Sequence, residues 1–187
     1  MSMKSSDGGV DNAGRIQRFS RWLALLCLLL IVMLPATLVI YWGLEPLEGL
    51  AEQGNLGSGA IKAPIEIWQR AVGAALGLLP VGMLIAGLLQ ARRCFLLFAA
   101  GRVFVSEATH CLRRFAGWVA ASVAAAMLAS TGLSVLLTIN NPPGMRQLVI
   151  GVGSNEVFTL SFAAMVWLMA AVIAHGQTLA DENASFV

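Results

Sequence analysis

The chain has 187 residues, of which 58% are hydrophobic and 12% charged, and its formal net charge is +2. A soluble domain carries about 25% charged residues, so this composition excludes an ordinary water-soluble fold. The length is that of one domain, and the absence of a reading helix or an aromatic–basic platform excludes nucleic acid as a partner.

Residues 1–14 are polar and rich in Gly, Ser and Asp, the composition of a disordered tail. Residues 15–187 are expected to form a single transmembrane domain with spans over about 22–42, 70–90, 115–139 and 157–175. Each is close to the ~20 residues that cross hydrocarbon, and the apolar cores 23–41, 71–89, 115–139 and 157–174 hold no Lys, Arg, Asp, Glu or His. The fold class this predicts is all-α: a four-transmembrane-helix bundle with short outer loops.

Before the first span stand Lys4, Arg15, Arg18 and Arg21; between the second and third stand Arg92, Arg93, Arg102, Arg113 and Arg114. Basic residues are retained on the cytoplasmic side, so both termini and the middle link are expected inside. The first span is too long for a signal peptide and no small-residue cleavage site follows it. Trp22 and Trp42 bracket it, as interface aromatics do.

The first outer loop carries Glu45, Glu48 and Glu52 at helical spacing, with Leu44, Leu47 and Leu50 between them, which predicts one or two amphipathic turns. Gly54, Gly57 and Gly59 are expected to break them, and Pro64 suits the start of the next helix. The second span contains Pro80, a residue that commonly kinks a helix. Its helical pattern runs beyond the membrane to Ala100, where Gly101 is a natural stop. Ser106 is the expected N-cap of the third helix, with Glu107 in its first turn, where the helix dipole favours an acid. The second and third helices are thus expected to extend into the cytoplasm, joined by a tight link.

In the second outer loop, Asn140-Asn-Pro-Pro-Gly144 is a turn signal. Residues 147–152 are β-branched and suit a short extended piece for which Ile61 and its neighbours offer a partner. After the fourth span, Gly176-Gln-Thr-Leu-Ala-Asp181-Glu182 echoes Gly101-Arg-Val-Phe104-Val-Ser106-Glu107. Either any helix exit followed by a cap reads this way, or the chain holds an internal helix-pair repeat.

Helices in lipid associate through small residues. The expected seams are Gly73-x-x-x-Gly77 and Gly82-x-x-x-Ala86 on the second span, and Gly117, Ala121, Ala125 and Ala129 on the third. They serve a compact bundle, or alternatively a homo-oligomer.

Candidate chemistry is sparse. The apolar cores lack charged groups and carry hydroxyls from Ser and Thr, with Ser130, Thr131 and Ser134 clustered on the third; such hydroxyls usually bond back to their own helix. Cys94, Cys111, His110 and His175 all fall on the cytoplasmic side, but without any metal or haem spacing, so no metal site and no cofactor is expected. No nucleophile elbow, P-loop or paired intramembrane acids occur, and an enzyme is not expected. The candidate interaction face is Arg92, Arg93, Arg102, Phe104, Glu107, His110, Arg113, Arg114, Leu179, Glu182 and Asn183. Its plain role is topology and contact with anionic membrane lipids; its functional role is docking of an acidic partner.

The run from Phe98 through Gly101, Phe104, Glu107 and Leu112-Arg113 to Gly117, with the terminal Leu179-x-x-Glu182-Asn183-x-x-x-Val187, resembles the bacterial membrane proteins grouped as domain of unknown function (DUF) 2975. The resemblance implies a multi-pass protein of the bacterial cytoplasmic membrane with no established activity. Some members accompany small helix-turn-helix regulators, which points to a protein partner. The leading expectation is therefore a non-enzymatic interaction protein, regulatory or accessory, working through its cytoplasmic face. The alternative is a small transporter or lipid-handling protein that uses Pro80, the Ser130–Ser134 cluster and the outer-loop acids.

Overall fold

The structure, a computed structural model, describes residues 7–44, 46–57, 59–62, 64–102 and 105–185. Five helices follow in order: α1 (Asp7–Leu44), α2 (Leu47–Gln53), α3 (Ile67–Ala99), α4 (Ser106–Thr138) and α5 (Ser154–Ser185). Among the described residues there is no strand. All but α2 are long and apolar enough to cross a membrane, which makes this an all-α, multi-pass membrane protein. Pro35 and Pro80 lie inside continuous helices, a placement that neighbouring groups make tolerable in spans. α1 begins at Asp7, inside the tail expected to be disordered. The apolar run has already met the nucleation cost, so the polar residues before it extend an existing helix rather than start one.

The chain divides into two compact units: Met1–Ile31 with Ala86–Gly117 and Phe162–Val187, and Val32–Ile85 with Trp118–Ser161. The first is packed by small side chains. Ser20, Ala24 and Cys27 on α1 are buried, as are Ala91 and Cys94 on α3, Ala108 and Ala116 on α4, and Ala163 and Ala170 on α5. The α1 and α3 sets fall at helical spacing on one face each, so backbones approach closely, the favoured mode of association in lipid.

The second unit is built on large residues. Trp42, Leu50, Leu56, Leu133 and Leu137 form its buried cluster, with Leu38, Ile61 and Val149 packed around it. Trp42 is 2% exposed against 70% for Trp22, so Trp42 is a core residue rather than the interface aromatic expected of it. The reason is Gly73: a Cβ there would fall within the Trp42 ring, and at Gly77 it would meet a Leu38 methyl at 3.1 Å. The Gly73-x-x-x-Gly77 seam is the slot that admits the indole. At Gly82 and Gly117 an added Cβ would meet nothing within 4 Å, and these two glycines form no such slot within the chain. A strict four-residue series overshoots a helix turn by about 40° per step, so the series from Gly117 starts off the packed face and reaches it at Ala125 and Ala129, both buried. Ala121 is half-buried.

α2 is too short to hold itself in water. It is held by Leu50, fully buried, and by Tyr41 Oη, which donates to Gly49 O at 2.8 Å. Burying one such leucine contributes roughly 1.5–3 kcal/mol. Its C-terminus closes with Asn55 N–H to Glu52 O (3.0 Å) and Leu56 N–H to Ala51 O (2.9 Å), with Asn55 at φ 52°. Asn55, not Gly54, takes the left-handed position of this Schellman closure. Gly54 serves a different need: a Cβ there would stand 3.3 Å from Ser134 N, so its bareness lets the turn press against α4.

The polar side chains of this unit tie its loops together. Gln69, 1% exposed, accepts from Glu66 N–H (2.9 Å) and from Asn140 Nδ2 (3.1 Å), and donates to Leu136 O (2.8 Å). It caps the start of α3 and closes the last turn of α4 at once. In the run 147–152, expected as a short extended piece paired near Ile61, Gln147 and Val149 find their partners on a helix instead. Gln147 N–H donates to Thr138 Oγ1 at 3.1 Å, and Val149 N–H donates to Ser134 Oγ at 3.1 Å. Asn141 accepts from Lys62 N–H (2.9 Å) and donates to Ala60 O (2.8 Å). A side-chain amide thus presents the donor and acceptor of a strand edge, which is why no second strand is needed. The turn before residues 147–149 carries Met145 N–H to Pro142 O at 3.0 Å, with Gly144 at φ 89°, the Pro-Gly arrangement of a type II turn.

The seam yields a direct expectation. Gly73→Ala should destabilise the protein by about 1–3 kcal/mol through overpacking, seen as a lower melting temperature in detergent, whereas Gly82→Ala should not lower it. Equal melting of the two variants would contradict the slot.

Candidate functional site

α3 ends in a second Schellman closure: Gly101 N–H to Phe98 O (3.0 Å) and Arg102 N–H to Leu97 O (3.0 Å), with Gly101 at φ 77°. The expected stop glycine therefore does stop the helix, and it turns the chain so that α4 restarts at Ser106. The echo at Gly176 behaves differently. Gly176 lies inside α5 and does not have a positive φ, and the helix formers that follow carry the helix on. The two matching heptapeptides do not make a structural repeat.

Around this turn most of the charged residues are exposed. Arg93, Arg102, Glu107, His110, Arg113 and Arg114 are exposed and Arg92 is half-buried. Among the described residues the one ion pair is Arg102 Nη2 to Glu107 Oε2, at 3.4 Å with 55% and 63% side-chain exposure. At that exposure the pair contributes between zero and about 1 kcal/mol. Phe104 lies outside the described residues. Leu179, Glu182 and Asn183 lie on the α5 backbone, with their side chains outside the described set.

α4 presents two different faces here. Glu107, His110 and Cys111 line a groove of about 470 Å³ with Arg93, Leu96 and Leu97 of α3. Ser106, Thr109, His110 and Arg113 share the i, i+3, i+4, i+7 face and line a larger cleft of about 870 Å³ with Ile173, Ala174, Gln177 and Thr178 of α5. Arg114 lines neither. The Arg113 guanidinium carbon stands 5.3 Å from the centroid of the Trp167 ring, which holds the cation over the aromatic face.

Thr109 and Gln177 were not legible as site residues. Thr109 Oγ1 gives its proton to Ser106 O at 2.9 Å and faces Gln177 Oε1 at 3.5 Å. Gln177 Nε2 is buried without a hydrogen-bond partner among the described residues. The available signal was the helical spacing of Thr109 with Ser106 and Arg113; nothing in the sequence placed α5 opposite them.

Cys27 and Cys94 are buried free thiols and Cys111 is half-buried. Among the described residues, His, Cys, Asp and Glu side chains do not gather in threes where they would hold a metal ion.

The family model described as "Protein of unknown function (DUF2975)" matches residues 59–187. The chain belongs to this family. The match takes in α3, α4 and α5, and with them the α3–α4 turn of this DUF2975 protein, the motif region on which the resemblance rests. No match was found among curated proteins or among solved structures.

The exposure of the ion pair sets an expectation for this DUF2975 protein. Arg102→Gln should change the melting temperature by no more than the equivalent of about 1 kcal/mol, measured in detergent beside the wild type. A large loss would mean that the turn depends on the pair.

Proposed function

We propose that this chain is a non-enzymatic membrane protein, regulatory or accessory, that acts by protein–protein interaction through the surface around the α3–α4 turn. The observation that carries the reading is the exposure of Arg93, Arg102, Glu107, His110 and Arg114 together on that surface, with a single weak ion pair among them. Exposed arginines at high density recognise carboxylate-rich surfaces through their planar fork of donors, so the partner is an acidic protein face. The same arginines favour the cytoplasmic side of a bacterial cytoplasmic membrane, with both termini inside and anionic lipids beside them.

The hydroxyls that a transport pathway would need are engaged elsewhere. Ser130 Oγ and Thr131 Oγ1 both donate to Met127 O, at 3.0 and 2.9 Å, and Ser134 Oγ donates to Thr131 O at 2.7 Å while accepting from the loop. That use favours the interaction reading over a solute path.

The test is recovery of proteins with C-terminally tagged chain from gently solubilised native membranes. A stoichiometric partner recovered with the wild type should be lost from the triple variant Arg102→Gln, Glu107→Gln, Arg114→Gln, with insertion and melting unchanged. Equal recovery from both would overturn the reading.

A further inference from the structure

The large cleft between α4 and α5 differs from the charged surface around it. One wall carries a cation, a histidine and hydroxyls from a single helix face: Arg113, His110, Thr109 and Ser106. Ser106 opens α4, a helix of 33 residues, and lines the cleft with its first turn. The facing wall supplies Gln177, whose buried Nε2 is a donor still waiting for an acceptor. The Arg113 guanidinium and the unpartnered Gln177 amide both suit an anion with several acceptor oxygens.

The depth of the cleft narrows the class of anion. Its α5 wall runs from Ile173 and Ala174 to Gln177 and Thr178, the point where the helix passes from apolar to polar sequence. Just before it, Leu168, Met169 and Val172 are exposed apolar residues. That sequence of surfaces, polar donors next to an exposed apolar helix face, is the level of phosphates and acyl chains at a bilayer surface. Arg113 is suited to this level, since its guanidinium lies against Trp167 and keeps its outward donors free for phosphate oxygens.

We propose that this cleft is a phosphate-binding site filled by the headgroup of an anionic phospholipid, with Arg113 as the principal ligand, Gln177 as a second donor and Trp167 as the residue that positions Arg113. The lipid's chains lie along the exposed apolar face of α5. The site uses residues apart from Arg102, Glu107 and Arg114, so its failure and the failure of the partner reading are separate results.

The experiment is native mass spectrometry of the full chain in a neutral detergent, titrated with dioleoyl-phosphatidylglycerol, with dioleoyl-phosphatidylcholine and inorganic phosphate as separate arms. The expected result is a discrete one-to-one phosphatidylglycerol adduct, weaker by about tenfold or more in Arg113→Gln, as the loss of a charged hydrogen bond implies, and unchanged in Arg114→Gln. Phosphatidylcholine should not form the adduct at the same concentration. Gln177→Leu, which alters no charge, should also weaken it and carries the test if Arg113→Gln does not fold. Equal weakening by Arg113→Gln and Arg114→Gln, or equal retention of the two lipids, would overturn the site. Displacement of phosphatidylglycerol by equimolar inorganic phosphate would overturn the lipid source.

Discussion

A backbone that leaves a helix beside a membrane must find hydrogen-bond partners close at hand, because unpaired N–H and C=O groups there cost several kcal/mol each. In this protein the partners are side chains of helix ends. Ser134 and Thr138 of α4, Asn141 just beyond it and Gln69 at the start of α3 take up the amides of residues 62, 66, 147 and 149. Among the described residues, the loops of this unit do not pair with each other as strands; they are stitched to helices. The cluster of Leu50, Leu56 and Val149 around Trp42 then has a fixed frame in which to pack.

The other unit solves its packing differently. Its buried residues, among those described, are Ala, Gly, Ser, Cys and Thr, which bring helix backbones together but leave little side-chain volume inside. With the interior closed by small residues, the large and charged side chains at the α3–α4 turn are free to face outward. Arg113 and Trp167 stack on the surface, and a cleft lined by donors stays open between α4 and α5. The functional readings both follow from that division: the charged rim suits a protein partner, and the cleft suits a phosphate.

Much of this was legible in the sequence because it depends on local rules. Apolar length defines the membrane helices, and Gly101 and the Pro-Gly turn at 143–144 obey backbone constraints carried by single residues. What escaped depends on contacts between segments distant in sequence. Trp42 reads as an interface aromatic until Gly73 is brought against it. Gly54 reads as a helix breaker, yet Asn55 takes the left-handed turn and Gly54 answers to Ser134. The β-branched run at 147–152 reads as a strand because nothing local reveals that α4 offers hydroxyls at matching height. The same holds at the candidate site: the arginines were visible, whereas Gln177 and Thr109 gain meaning only with α4 and α5 side by side.

The central claim, that helix side chains hold the loop backbone, is tested most directly by amide hydrogen exchange resolved at Lys62, Gln147 and Val149 in the protein in detergent. The account predicts slow exchange at all three, comparable to amides within α4, and selective loss of protection at Val149 in Ser134→Ala. Exchange at the rate of open loops in the wild type would contradict it.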